Sequence, residues 1–186
     1  MTDLRDNLIA EIHRAWLKPL GFRKSGRKCT KAMSNDITVE VSLKSYPTAP
    51  EGPFRFSIDI SANSLAANAS RIYYVLMLPF YTQGAQFWAF DSNTNQEELQ
   101  TEIIQEFKEI AVPSIDKMNS YEGIQQLFAT IPSRMPLFWY FESYYNCLDR
   151  NGCDDEKIKL LQKVIETAPH DGVKNKAQSM LKAVAH

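Results

Sequence analysis

Between residues 37 and 61 the side chains alternate between apolar and polar. Ile37, Val39, Val41 and Leu43 are interleaved with Thr38, Glu40 and Ser42. Phe54, Phe56, Ile58 and Ile60 are interleaved with Arg55, Ser57 and Asp59. Successive strand residues point to opposite faces, so each stretch predicts a strand with one covered face and one wet face. That pattern belongs to antiparallel pairing. Elsewhere the spacing is helical. Leu4, Leu8, Ile12, Ala15 and Trp16 form one stripe over residues 3–18, which Pro19 and Gly21 should end. The most regular stripe follows Asp91: Leu99, Ile103, Ile104, Phe107, Ile110 and Ala111. Thr94 and Glu97 have capping-box spacing at its start, and Pro113 predicts its stop.

Weaker signals fill in the rest. Phe22 starts an extended segment, Ser25-Gly26 is a turn, Lys28 to Met33 runs extended, and Asn35-Asp36 turns again. Residues 47–53 form a Pro/Gly loop, and 63–70 reads as a loop or a helical turn. Ile72 to Phe80 reads as a strand cut by Pro79, with a buried helix as the alternative. Phe87 to Phe90 is a short aromatic strand. A turn at 114–118 and a helix at 120–130 come next, then a hinge at Pro132 and Pro136. Leu137 to Leu148 is dense in aromatics, Asp154-Asp155-Glu156 supplies an acidic first turn, and that helix runs to Pro169. A tail helix spans about 172–184. The fold class is therefore α+β: an antiparallel sheet of four to six strands, covered on one face by helices, with a C-terminal helical hairpin. Residues 1–131 form the α+β domain, and 132–186 a helical extension packed on it.

Composition narrows the functional classes. At 186 residues, with 44% apolar and 23% charged side chains, the chain can bury an ordinary core. A net charge of -1 argues against binding nucleic acid or membrane by bulk charge. The segment MTDLRDNLIAEIHRAW carries charges throughout and lacks a signal peptide's apolar core. The longest apolar run, Ile72 to Tyr81, is about half of the ~20 residues a membrane helix needs. A cytoplasmic location is expected. Cys29, Cys147 and Cys153 form no C-x-x-C pair, so neither a disulfide framework nor a metal site is expected, and no cofactor.

Three places together resemble a family. The first is Leu17-Lys18-Pro19-Leu20-Gly21-Phe22-Arg23-Lys24-Ser25-Gly26, similar to a "helix, then GF-x-x-x-G" opening. The second is the strand Phe54-Arg55-Phe56-Ser57-Ile58. The third is Phe87-Trp88 and its helix, followed by Val112-Pro113-Ser114-Ile115-Asp116 and Ser120-Tyr121-Glu122-Gly123-Ile124. Over roughly residues 4–128 this order is similar to the bacterial domain of unknown function numbered 4304. Phe87-Trp88 stands where that family usually has a tryptophan pair. The resemblance implies a bacterial origin and a compact α+β domain. It carries no activity, cofactor or catalytic residue.

No P-loop, G-x-S-x-G, G-x-G-x-x-G, H-E-x-x-H or EF-hand pattern occurs. His13, His170 and His186 are scattered. A Cys29–His13 pair is one conceivable nucleophile, against the commoner case of an inert buried thiol. Asp59 and Asp91 read as a wet-face residue and a turn residue rather than general bases. Lys18, Arg23, Lys24, Arg27, Lys28 and Lys31 come with no acid between them. Either Arg23, Lys24, Arg27 and Lys28 bind an anion or nucleic acid, or the lysines protect a sheet edge.

Glu98, Glu102, Glu106 and Glu109 fall within about 80° of arc on one helix face. That is either a solvated face or a surface for a basic partner. The aromatic helix offers core packing or a partner surface, with Trp139, Tyr140 and Tyr144 as candidate anchors. The leading expectation is a non-catalytic bacterial immunity protein. The glutamates would steer a toxin domain, the aromatics would anchor it, and its active site would be occluded. The alternative is a small enzyme or anion-binding domain with a pocket between sheet and helices.

Overall fold

The computed structural model describes residues 4–33, 36–46, 53–64, 76–78, 88–130 and 137–184. Six strands form one antiparallel sheet: β1 (Arg23–Ser25), β2 (Lys28–Ala32), β3 (Ile37–Tyr46), β4 (Phe54–Ser64), β5 (Leu76–Leu78) and β6 (Trp88–Phe90). The order is β1-β2-β3-β4-β5, and β6 also pairs with β4. Because β3 takes one edge of β4 along its whole length, β5 and β6 lie end to end on the other. Val41 faces Ile60 and Leu43 faces Ile58, so the two alternating stretches pool their apolar residues on one face. Gly26 and Asp36 take positive φ in the turns before β2 and β3.

Helices cover that apolar face. They are α1 (Leu4–Ile12), α2 (Gln96–Glu106), α3 (Val112–Lys117) and α4 (Tyr121–Thr130). Leu8, Ile9 and Ile12 of α1, Ile103 of α2, and Ile124 and Phe128 of α4 join Val39, Val41, Phe56 and Ile58 in one core. Each such side chain contributes about 1.5–3 kcal/mol relative to exposure. Gly123 is required where α4 crosses the end of α3, because a Cβ there would collide with the Lys117 carbonyl. After it come α5 (Phe141–Arg150), α6 (Asp154–Thr167) and α7 (Asp171–Val184). The α+β architecture, with helices on one sheet face and a helical C-terminal part, is as the sequence patterning predicts.

Several local expectations are corrected. Pro113 does not stop its helix. A π-helical stretch, Phe107–Ala111, leads directly into α3, with Pro113 in its first turn. The wider turn removes the need for the N–H that proline lacks, and Ser114 Oγ donates to the Ile110 carbonyl at 2.7 Å. The cap of α2 is Asn95, which accepts from the Glu98 N–H at 3.3 Å. Thr94 bonds Asp91 instead. Asp59 is not a wet-face residue. It is 5% exposed, it accepts from Ser57 Oγ at 2.7 Å and it pairs with Lys44. Tyr46 Oη lies 3.0 Å from the same Ser57 Oγ. On the polar side of β4 the burial is local to Ser57 and Asp59, with Arg55 exposed, and a hydrogen-bonded network satisfies the buried pair. Of the 72–80 segment, Leu76–Leu78 is a strand as expected. Asn63 and Ser64, expected in a loop or helical turn at 63–70, instead extend β4 by pairing with Thr38 and Ile37. Asn35, Phe87, the rest of that loop, residues 47–52, and the hinge at Pro132 and Pro136 lie outside the described residues.

Candidate functional site

An open cleft of about 510 Å³ lies between α4, α5 and the turn that joins α5 to α6. Its first wall is one face of α4: Glu122, Gln125, Gln126 and Ala129, spaced three, one and three residues apart. The opposite face of the same helix, Ile124, Leu127 and Phe128, is buried in the core. Core packing therefore fixes the direction in which the polar stripe points.

The second wall is Tyr144 of α5. Its ring stacks on Phe128 with centroids 5.1 Å apart. Burial pushes its phenol up from the ordinary tyrosine value, and nearby Cys147, Glu156 and Cys153 push the same way.

Asn151 and Cys153 close the end of the cleft. Gly152, at φ 67°, turns the chain between them, and Cys153 N–H bonds back to the Leu148 carbonyl at 2.9 Å. The Asn151 amide donates to Gln125 Oε1. Cys153 Sγ lies 3.9 Å from the same oxygen. Beneath them Cys147 is fully buried and donates to the Tyr121 carbonyl at 2.9 Å. Burial, reinforced by Cys153 and opposed by the Gln125 N–H, pushes its thiol up to about 12. The turn is locked on its other side by Lys157. That side chain is 7% exposed and reaches Asp149 at 2.6 Å and Asp154 at 2.7 Å.

The structure separates the sequence-predicted site residues. Glu98, Glu102 and Glu109 are exposed, whereas Glu106 is half-buried. Glu109 falls in the π-helical stretch and accepts from Gln105. Tyr140 is 8% exposed and stacks on Phe128 at 5.8 Å, so it is core, not a surface anchor. Three rings meeting at one junction account for that burial. The side chain of Trp139 lies outside the described residues. Among the described ones Tyr144 reaches the cleft.

On the basic segment, Arg27 pairs with Asp6 at 2.6 Å and Lys28 with Glu40 at 3.0 Å, while Arg23 and Lys24 are exposed on the edge strand β1. Two of the four proposed anion ligands are thus already engaged. Cys29 is fully buried, and burial, opposed by Lys24, pushes its thiol up to about 11. His13 is instead held at the Phe22 carbonyl, 3.1 Å away.

Among the described residues no group of three or more His, Cys, Asp or Glu side chains can hold a metal, and no helix is long and apolar enough to cross a membrane. The sequence reading missed Gln125, Gln126, Asn151 and Cys153. The available signal was the Glu122-Gln125-Gln126-Ala129 stripe opposite an apolar face. No family model, curated protein or solved structure matches the chain.

Proposed function

We propose that this chain is a non-catalytic binding protein with a protein partner. In its most specific form it is a bacterial immunity protein, acting in the cytoplasm, that covers the active site of a cognate toxin. The observation that carries the reading is the open cleft, lined by Tyr144 of α5, by Glu122, Gln125 and Gln126 of α4, and by Asn151, whose amide is bonded to Gln125. Fixed aromatic and amide groups of this kind recognise polypeptide. The exposed Glu98, Glu102 and Glu109 support it as charges that speed the approach of a basic partner. Tyr140 has no part in it, being stacked in the core.

The test is inhibition. The product of the gene beside this one is purified, its toxic activity assayed, and the chain titrated in. Stoichiometric inhibition, with association slowed by salt, is expected. A neighbouring product that neither binds nor is inhibited would sink the toxin reading.

A further inference from the structure

We infer that the cleft receives an arginine side chain from the partner polypeptide. The inference rests on the reading of the chain as a protein-binding module and adds what that module recognises. Charge is the first argument. Among the described residues the lining contributes one carboxylate, Glu122, and no basic side chain. Glu156 acts on Tyr144 from the α6 side with the same sign. Two described cations of this region are turned elsewhere. Arg150 sits over the Tyr121 ring at 5.9 Å, and Lys157 is held between Asp149 and Asp154.

Acceptor geometry is the second argument. Glu122 and Gln126 are four residues apart on α4, so a carboxylate and a carboxamide oxygen stand side by side on one face. Tyr144 lines the cleft from α5. A guanidinium carries five N–H donors in a planar fork and pairs with carboxylate two bonds at a time. It is also weakly hydrated, so it loses less on entering a partly apolar cleft than an ammonium does. A carboxylate side chain would meet Glu122 with like charge.

The experiment titrates the full chain, labelled with nitrogen-15, with three end-blocked tripeptides: Gly-Arg-Gly, Gly-Lys-Gly and Gly-Glu-Gly. The arginine peptide is expected to move the side-chain amide signals of Gln125, Gln126 and Asn151. Glu122→Gln, at an exposed site that does not hold the fold, should weaken it by about tenfold. Three results would overturn the proposal: no movement with the arginine peptide, an equal response to lysine or glutamate, or affinity unchanged in Glu122→Gln. Inhibition of a toxin without arginine binding would remove this inference and leave the broader reading standing. Arginine binding without a toxin partner would do the reverse.

Discussion

On the sheet side, Ile37, Val39, Val41, Phe56, Ile58 and Ile60 are all 1% exposed or less, with α1 and α2 packed across them. On the helical side a smaller core holds Phe141, Leu148, Leu160, Leu161, Val164, Ala168 and Ala177. Ion pairs supplement the packing on both sides: Lys157 with Asp149 and Asp154 and Lys176 with Glu142 at 2.6 Å on this one, Lys28 with Glu40 and Lys44 with Asp59 on the sheet. The first region excludes water over a continuous surface. The second is thinner, leaves polar groups in its turns, and shares the cleft with α4. Recognition can be built where packing leaves side chains to spare, and here that is the junction between the two regions.

Phe128 is that junction. It is 1% exposed, belongs to the sheet-side core, and stacks on both Tyr140 and Tyr144. Phe128→Ala should cost about 4 kcal/mol, the usual loss for a buried aromatic cut to a methyl. Urea unfolding followed by far-ultraviolet circular dichroism measures it. A cost under about 1 kcal/mol would mean that the two regions do not lean on this ring.

The sheet side was the more legible in the sequence, for a physical reason. Strand alternation has a period of two and needs few residues to declare itself, as in residues 37–43 and 54–60. The pairing of Val41 with Ile60 follows once those faces are known. What stayed hidden depends on neighbours distant in sequence. Asp59 alternates like a solvated residue, and only its bond from Ser57 and its pairing with Lys44 on the neighbouring strand reveal its buried place. Pro113 reads as a stop, and only the π-helical stretch before it lets the helix continue. Tyr140 and Tyr144 are alike in sequence, yet one is core and the other half-exposed in the cleft wall, because the helix α5 begins after Tyr140. The cleft unites α4 with a turn more than twenty residues later, which no local pattern can report.

A smaller effect sharpens the contrast from the helical side. Lys157→Met keeps the length of a buried side chain and removes its charge. Its partners Asp149 and Asp154 are 57% and 72% exposed, so water takes them back and the loss should be about 1 kcal/mol. Asp149 first, then Asp154, raises the ammonium above the ordinary lysine value. The folded chain therefore holds this proton more tightly than the unfolded chain does. Its contribution is complete below about pH 10 and fades as pH rises further. Thermal melts of both proteins should converge at strongly alkaline pH, and a constant difference would show that packing, not charge, holds the turn.

The three thiols give the finest comparison, one for each environment: Cys29 under the sheet, Cys147 at the junction, Cys153 in the cleft. At neutral pH they should differ in access, and burial further slows Cys29 and Cys147 by keeping them protonated. A disulfide reagent should take Cys153 quickly and reach Cys29 and Cys147 only as the chain unfolds, because those two are fully buried. Saturating the arginine tripeptide should slow the fast thiol and leave the slow pair unchanged. Alkali then tests the buried pair. Their folded values, raised to about 11 and about 12, lie above the roughly 8.5 of an unfolded thiol. Stability from keeping them protonated is whole below that lower value and declines as pH climbs toward the upper ones. Three thiols reacting at one rate would mean that the junction is open to solvent. In that case the distinction between a sealed sheet core and a recessed recognition cleft would collapse.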